Sequence, residues 1–101
     1  MSRRLEFHDI LMDLLGSSNV YFQPPATAKI KYPCIIYKRN RVDANHADDC
    51  LYQDRLGYLV TVIDINPDSE IPGKILKLPF CRFDRHYTAE NLNHDVFNVY
   101  Y

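Results

Sequence analysis

RLGYLVTVIDIN, residues 55–66, decides the fold of this chain, because it is long and rich in β-branched and aromatic residues. Its side chains alternate between two largely apolar faces. One face carries Tyr58, Val60 and Val62, and the other carries Leu59, Thr61, Ile63 and Ile65. This pattern predicts a strand in the middle of a sheet, covered on both sides.

The segment RLEFHDILMDLLG, residues 4–16, predicts an amphipathic helix. Its apolar residues follow the i, i+3, i+4, i+7 spacing of one helix face, namely Phe7, Ile10, Leu11, Leu14 and Leu15. Glu6, Asp9 and Asp13 fall on the other side. Ser2 is suited to cap the start, and Gly16 to take the left-handed conformation that ends a helix.

Four further strands and a short helix are predicted around this pair. VYFQPP (20–25) is an edge strand or extended arm, because its prolines cannot donate to a ladder. Strands are also expected at 34–39, 80–87 and 94–101, with TAENLN connecting the last two. Residues 66–79 predict a turn and a short helix, capped by Asp68 or Ser69 and ended by Pro79.

The element order is therefore α-β-β-β-α-β-β. Strands this close together favour antiparallel pairing, with the helices gathered on one face. We predict an α+β fold with an antiparallel sheet of about four to five strands. The length of 101 residues fits a single domain spanning 1–101.

Composition excludes several classes of function. Lys plus Arg is 12 and Asp plus Glu is 13, which is not the clustered positive charge that nucleic-acid backbones require. The three cysteines are widely spaced, as expected of reduced thiols in a cytoplasm. No run approaches the ~20 apolar residues of a membrane span. We therefore expect no sequence-specific nucleic acid and no membrane as partners.

Residues 41–54, RVDANHADDCLYQD, raise the question of a metal or hydrolytic site. Asp43, Asn45 and Ala47 imitate only the first spacing of a calcium loop, which also needs a central Gly and a terminal Glu. Zinc would use His46 and Cys50 with two further ligands, for which His86 and His94 are available on other strands. The pattern favours a polar loop that is long beside a usual hairpin loop of roughly 2–5 residues.

No other motif indicates catalysis. Adjacent Asp48 and Asp49 diverge in extended chain, which is poor geometry for a shared proton. Cys34 and Cys81 lie within strand patterns and are interpreted as small core residues. The sequence has no G-x-S-x-G, no H-E-x-x-H and no phosphate-cradling glycine loop, and only three glycines in all. We expect no enzyme and no cofactor, and keep as an alternative a small metal-dependent hydrolase using Asp43, His46, Asp49 and His94.

Three stretches together resemble a known family: VYFQPP followed by YPCIIY, then ADDCLYQDRLGYLVTVID, then LNHDVFNVYY. They are similar to the minor tail proteins of long-tailed bacteriophages called tail completion or tail terminator proteins. The resemblance covers nearly the whole chain. Head-closure and head–tail joining proteins of the phage neck have similar lengths and remain the alternative within the same class.

The resemblance implies an α+β virion protein that forms a ring, usually a hexamer. The ring would cap the tail tube, stop its polymerisation and present a surface to the head connector, while DNA passes through the lumen. It also implies a location in the tail of the virion, with assembly in the cytoplasm of the bacterial host. Family members carry no cofactor and perform no chemistry.

Two sets of residues become candidates on this basis. Interface residues would be apolar and aromatic: Val20, Tyr21, Phe22, Pro24, Val99, Tyr100 and Tyr101. For Tyr100 and Tyr101 the alternative is that they complete the core of an edge strand. An acidic loop would face the lumen or the tube and repel passing DNA, with Asp43, His46, Asp48, Asp49 and Asp54 as its members.

Overall fold

A computed structural model describes residues 3–40 and 56–101. The elements are α1 (Arg3–Leu15), β1 (Val20–Phe22), β2 (Cys34–Arg39), β3 (Gly57–Asp64), α2 (Ile71–Leu76), β4 (Cys81–Ala89) and β5 (Leu92–Tyr100). The predicted α+β class and element order are confirmed. The proposed cap at Ser2 lies outside the described residues.

The five strands form one sheet in the order β1-β2-β3-β5-β4. β3 is the middle strand, as its two apolar faces predict. It pairs antiparallel with β2, and with β5 along its full length from Gly57↔Tyr100 to Asp64↔Asn93. β3 therefore has a hydrogen-bonded strand on each side and lies at the centre of the sheet.

The sheet is mixed rather than antiparallel, because β1 runs parallel to β2 with Val20 opposite Ile35. Parallel neighbours need a crossover of about a dozen residues, which residues 23–33 supply. Pro24 and Pro25 have no N–H and end the ladder after Gln23, whose N–H still donates to the Tyr37 carbonyl at 2.9 Å. The direction of β1 depends on the path of this connection, which the strand pattern does not encode.

Both helices pack on one face of the sheet, as predicted. We call it the helix face. Its core comprises Phe7 and Leu11 of α1, Ile75 of α2, and strand residues Val20, Ile35, Tyr37, Tyr58, Val60, Val62, Phe97 and Val99. The Phe7 ring lies 4.9 Å from the Tyr58 ring and 5.6 Å from the Tyr37 ring, centroid to centroid. These aromatic contacts fix α1 to the sheet.

The helix ends are partly as predicted. Gly16 follows α1 with φ +80°, and its N–H donates to the Met12 carbonyl at 2.8 Å. α2 is shorter than the 66–79 segment, and its N-cap is Glu70 rather than Asp68 or Ser69. Ser69 Oγ still accepts the Ile71 N–H at 3.3 Å. Proline in the first turn of α2 starts the helix here without a side-chain cap.

β4 and β5 form a long hairpin that extends further than expected. Both strands run into the predicted TAENLN connection, which shrinks to a two-residue turn at Glu90 and Asn91. These residues have φ values of 52° and 64°, the positive values that a tight hairpin turn requires. The pairing shifts between Phe83 and Arg85, leaving Asp84 in a bulge.

The second face of the sheet carries no helix in the described part of the chain. We call it the open face, and in register its central row is Ile36, Thr61, Val96 and Arg85. Burial on this face is uneven among the described residues: Cys34, Ile63 and Val96 are buried, whereas Leu59 and Thr61 are half-buried. The two helices contribute Phe7, Leu11 and Ile75 to the core of the helix face alone.

Candidate docking surface

The acidic residues singled out in the sequence, Asp43, His46, Asp48, Asp49 and Asp54, lie outside the described residues. Elsewhere, across 3–40 and 56–101, no group of three His, Cys, Asp or Glu side chains is placed to hold a metal ion. Of the two histidines considered as extra zinc ligands, His86 Nδ1 lies 2.8 Å from Asp95 Oδ1. The His94 ring stacks on Tyr87 at 4.6 Å.

Of the two described cysteines, Cys34 is buried, as its strand position predicts, and Cys81 is half-buried against the core. Burial, and secondarily the charge of Asp64, raises the pKa of the Cys34 thiol to about 12. Burial raises the pKa of Cys81 to about 11. Both thiols are therefore protonated near neutral pH, and a protonated thiol is a poor nucleophile and a poor metal ligand.

A small polar cluster joins α1 to β2 at the end of the core. Tyr37 Oη accepts from Arg4 Nη1 at 3.4 Å and lies 2.7 Å from His8 Nδ1. Because the Arg4 guanidinium can only donate, the Tyr37 hydroxyl donates its own proton to Nδ1 of His8. Burial raises the pKa of Tyr37, so the phenol keeps that proton. The cluster satisfies the one polar atom of a buried aromatic side chain.

The predicted interface residues divide into two groups. Val20 and Val99 are buried in the core, and the Tyr101 ring stacks on Phe7 at 5.2 Å. Tyr101 also exchanges two backbone hydrogen bonds with Leu56. Val20 and Val99 are therefore occupied within the protomer, while Tyr21, Phe22, Pro24, Tyr100 and Tyr101 are half-buried and keep some accessible surface.

The open face holds a groove of about 250 Å³. Its floor is formed by half-buried Ile36, Leu59 and Thr61 with the buried Val96 beneath, and Lys38, Arg85 and Tyr87 stand along it. A second hollow of about 490 Å³, bounded by residues 23–26 and Ile30, shares Ile36 and Lys38 with the groove. The two form one continuous depression from the β1–β2 connection to β4.

The rim of this depression is basic. Lys38 and Arg82 stand in one row of the sheet with Leu59 and Asn98 between them, and Arg85 stands in the next row. Arg85 Nη1 lies 3.2 Å from Asp84 Oδ2 in an exposed pair, which at a protein surface contributes roughly 0–1 kcal/mol. An apolar floor with cationic walls is the arrangement of a docking surface.

β4 adds a second feature suited to contact. It is the outer strand of the sheet, and eight of its nine residues are exposed. Phe83 and Tyr87 keep 46% and 42% of their surface accessible. An edge strand with exposed aromatic side chains is a site where another chain can pair, although its charges restrain that pairing.

Sequence reasoning missed the open face because β3 reads as apolar on both sides. The pattern of β3 does not tell which face the helices take. One signal was available: the sequence predicts one long helix and one short helix, too little helical surface to cover both faces of a sheet of four to five strands.

Among the described residues, neither helix has the length and apolar character needed to cross a membrane. No protein-family model matches the chain, and no match was found among curated proteins or solved structures.

Proposed function

We propose that this chain is a non-enzymatic virion protein that assembles into a ring at the junction of tail and head in a long-tailed bacteriophage. In this role it is a tail terminator, or tail completion protein, and the ring is a hexamer. The observation that carries the proposal is the open face, a partly apolar sheet surface over which neither helix of the described residues packs. The three sequence stretches that resemble the phage family support the assignment to a tail.

A protein that works alone has reason to cover such a face. A two-layer domain of this size leaves much apolar surface in water, and burial against a partner recovers roughly 25 cal/mol for each Å² removed. A ring supplies that partner in every copy, because a head-to-tail contact joins one patch to a different patch on the neighbour. The exposed β4 edge gains protection in the same assembly.

The partners in this role are further copies of the chain, the tail tube protein below and the head connector above. Tyr21, Phe22, Pro24, Tyr100 and Tyr101 are the aromatic and apolar candidates for those contacts. DNA passes through the lumen of the ring without sequence recognition. The acidic segment carrying Asp43, His46, Asp48, Asp49 and Asp54 faces the lumen or the tube, where negative charge repels phosphates.

Electron microscopy of particles assembled without this protein tests the assignment. Overlong tails are expected, because nothing then stops polymerisation of the tube. Filled heads that leak DNA beside tails of normal length would indicate head closure instead. A solution mass of one chain with stoichiometric zinc or manganese would support the hydrolase alternative and contradict both structural roles.

A triple variant tests the acidic segment separately. Asp43→Asn, Asp48→Asn and Asp49→Asn remove three negative charges with little change in side-chain volume. We expect unchanged folding and ring size but altered assembly or DNA passage, measured as the yield of infectious particles. Fully normal virions from the triple variant would show that the segment has no such role.

A further inference from the structure

α1 presents an acidic surface on the side away from the sheet. Glu6, Asp9 and Asp13 are all exposed and follow the i, i+3, i+7 spacing of one helix face. The basic residue Arg4 turns the other way, with its guanidinium 4.4 Å from the centre of the Phe22 ring. Arg3, at the start of the helix, is exposed, and its guanidinium lies 5.5 Å from the centre of the Tyr101 ring. Beyond this first residue, the outer side of α1 carries the three carboxylates and no Lys or Arg.

Apolar surface accompanies these carboxylates. Leu5 keeps 43% of its surface accessible, and Ile10 is half-buried. At 3.6 residues per turn these two residues flank the three carboxylates on either side, so the exposed side of α1 is an acidic stripe with apolar margins. The open face has a partly apolar floor edged by Lys38, Arg82 and Arg85. The two surfaces are opposite in charge, and both carry apolar side chains beside the charged ones.

We infer that α1 of one copy lies across the open face of the next copy, with Glu6, Asp9 and Asp13 facing Lys38, Arg82 and Arg85. This contact rests on the self-assembly proposed above and specifies which two patches meet. A helix is what normally covers a bare sheet face, and here the missing second helical layer comes from the neighbour.

The geometry of the protomer makes this contact heterologous. α1 packs on the helix face, so its exposed side and the open face lie on opposite sides of a two-layer domain. Each copy therefore offers one patch of each kind, and repetition of the same contact gives a closed ring or an open filament. A two-fold dimer is not expected, because neither patch is complementary to itself.

Charge reversal of each patch tests the contact. One variant carries Glu6→Lys, Asp9→Lys and Asp13→Lys, and the other carries Lys38→Glu, Arg82→Glu and Arg85→Glu. Alone, each places like charges across the contact, and we expect the dissociation constant of assembly to rise by roughly 100-fold. An equimolar mixture restores opposite charges at every contact, so the assembled mass measured by native mass spectrometry should return.

A matched control reverses charge elsewhere in the helical layer. Lys74→Glu with Lys77→Glu changes two exposed lysines at α2, and should leave the assembled mass as in the wild type. Circular dichroism and thermal melting of all variants establish that each remains folded.

Cross-linking tests the same contact without charge reversal, so it does not require the charge-reversed variants to fold. Asp9→Cys and Lys38→Cys are placed together in a Cys50→Ser chain, where the buried Cys34 and half-buried Cys81 thiols resist oxidation. Mild oxidation should give a ladder of disulfide-linked multimers when both new cysteines are present, and no ladder when either is absent.

Three results would overturn the inference. A wild-type chain that stays monomeric at millimolar concentration, with no ladder from the double-cysteine chain, would contradict both the ring and this contact. Assembly that persists in both charge-reversed variants would contradict the contact but not the ring. Loss of binding to a DNA oligonucleotide in the Lys38, Arg82 and Arg85 variant, with assembly unchanged, would make the open face a nucleic-acid surface instead.

Discussion

Gly16 and Gly73 hold different backbone conformations, and alanine should therefore act oppositely at the two positions. Gly16 has φ +80°, where a side chain is strained, although no atom lies within 4 Å of an added Cβ. Gly73 lies inside α2 with the same open space and without a positive φ. The contrast isolates backbone conformation from packing.

We expect Gly16→Ala to lower the free energy of unfolding by about 1–2 kcal/mol, because alanine resists the left-handed conformation. Gly73→Ala should raise it by up to about 1 kcal/mol, because alanine is the better helix former. Urea denaturation of the two variants beside the wild type measures both. Equal effects of the same sign would contradict the assigned end of α1.

His8 gives the fold a dependence on pH. Burial, and secondarily the positive charge of Arg4, lowers the pKa of His8 from its ordinary value of 6.5, while Asp9 acts in the opposite direction. The unfolded chain therefore binds a proton more readily than the folded chain. Stability from this group is complete above pH 6.5 and is lost as the pH falls toward the lowered pKa.

The variant His8→Gln should remove this part of the pH dependence. Thermal melting between about pH 5 and pH 8 is the measurement, because histidine changes charge in that range. The wild type should lose more Tm on acidification than the variant does. Parallel curves for the two proteins would show that protonation of His8 is not linked to folding.

At the scale of elements, the β4–β5 hairpin contains a turn residue that is poorly suited to its conformation. Glu90 has φ 52°, and glutamate gains no local hydrogen bond that favours the left-handed region. We expect Glu90→Asn to raise the free energy of unfolding by about 0.5–1 kcal/mol, measured by urea denaturation. Thr88→Asn, outside the turn, is the control and should give no gain.

The elements that were predictable have patterns that depend on local sequence. α1 was predicted from five apolar residues at helical spacing. β3 was predicted from an unbroken run of β-branched and aromatic residues that places apolar side chains on both faces of the strand. The parallel direction of β1 was not predictable, since it depends on where residues 23–33 lead the chain. The hairpin turn was missed because Glu90–Asn91 contains no glycine, the usual signal of such a turn.

At the scale of the whole molecule, the distribution of charge over the surface matters more for assembly than the net charge of −1 does. Negative charge along α1 and positive charge along the open face give the protomer two unlike sides. The sequence shows which residues carry the charges. It does not show that the two charged surfaces lie on opposite sides of the domain, because that depends on which face of the sheet the helices cover. The polar segment 41–54 lies outside the described residues.

Assembly through these two sides should be sensitive to salt. The screening length is about 10 Å at 0.1 M ionic strength and about 3 Å at 1 M, so charges at the rim of a contact lose influence. We expect the dissociation constant to rise severalfold over this range of sodium chloride, followed by analytical ultracentrifugation. A constant that falls with salt would indicate a contact held by apolar surface alone.

The position of β5 between β3 and β4 affects how the chain is made. On the ribosome, β4 emerges before the strand that must separate it from β3. Until residues 92–100 follow, β3 has one unpaired edge and β4 has no neighbour in the sheet. A nascent chain at this stage exposes an extended apolar segment of the kind that holdase chaperones bind. The sheet is therefore completed only when β5 has left the ribosome and can pair with both β3 and β4.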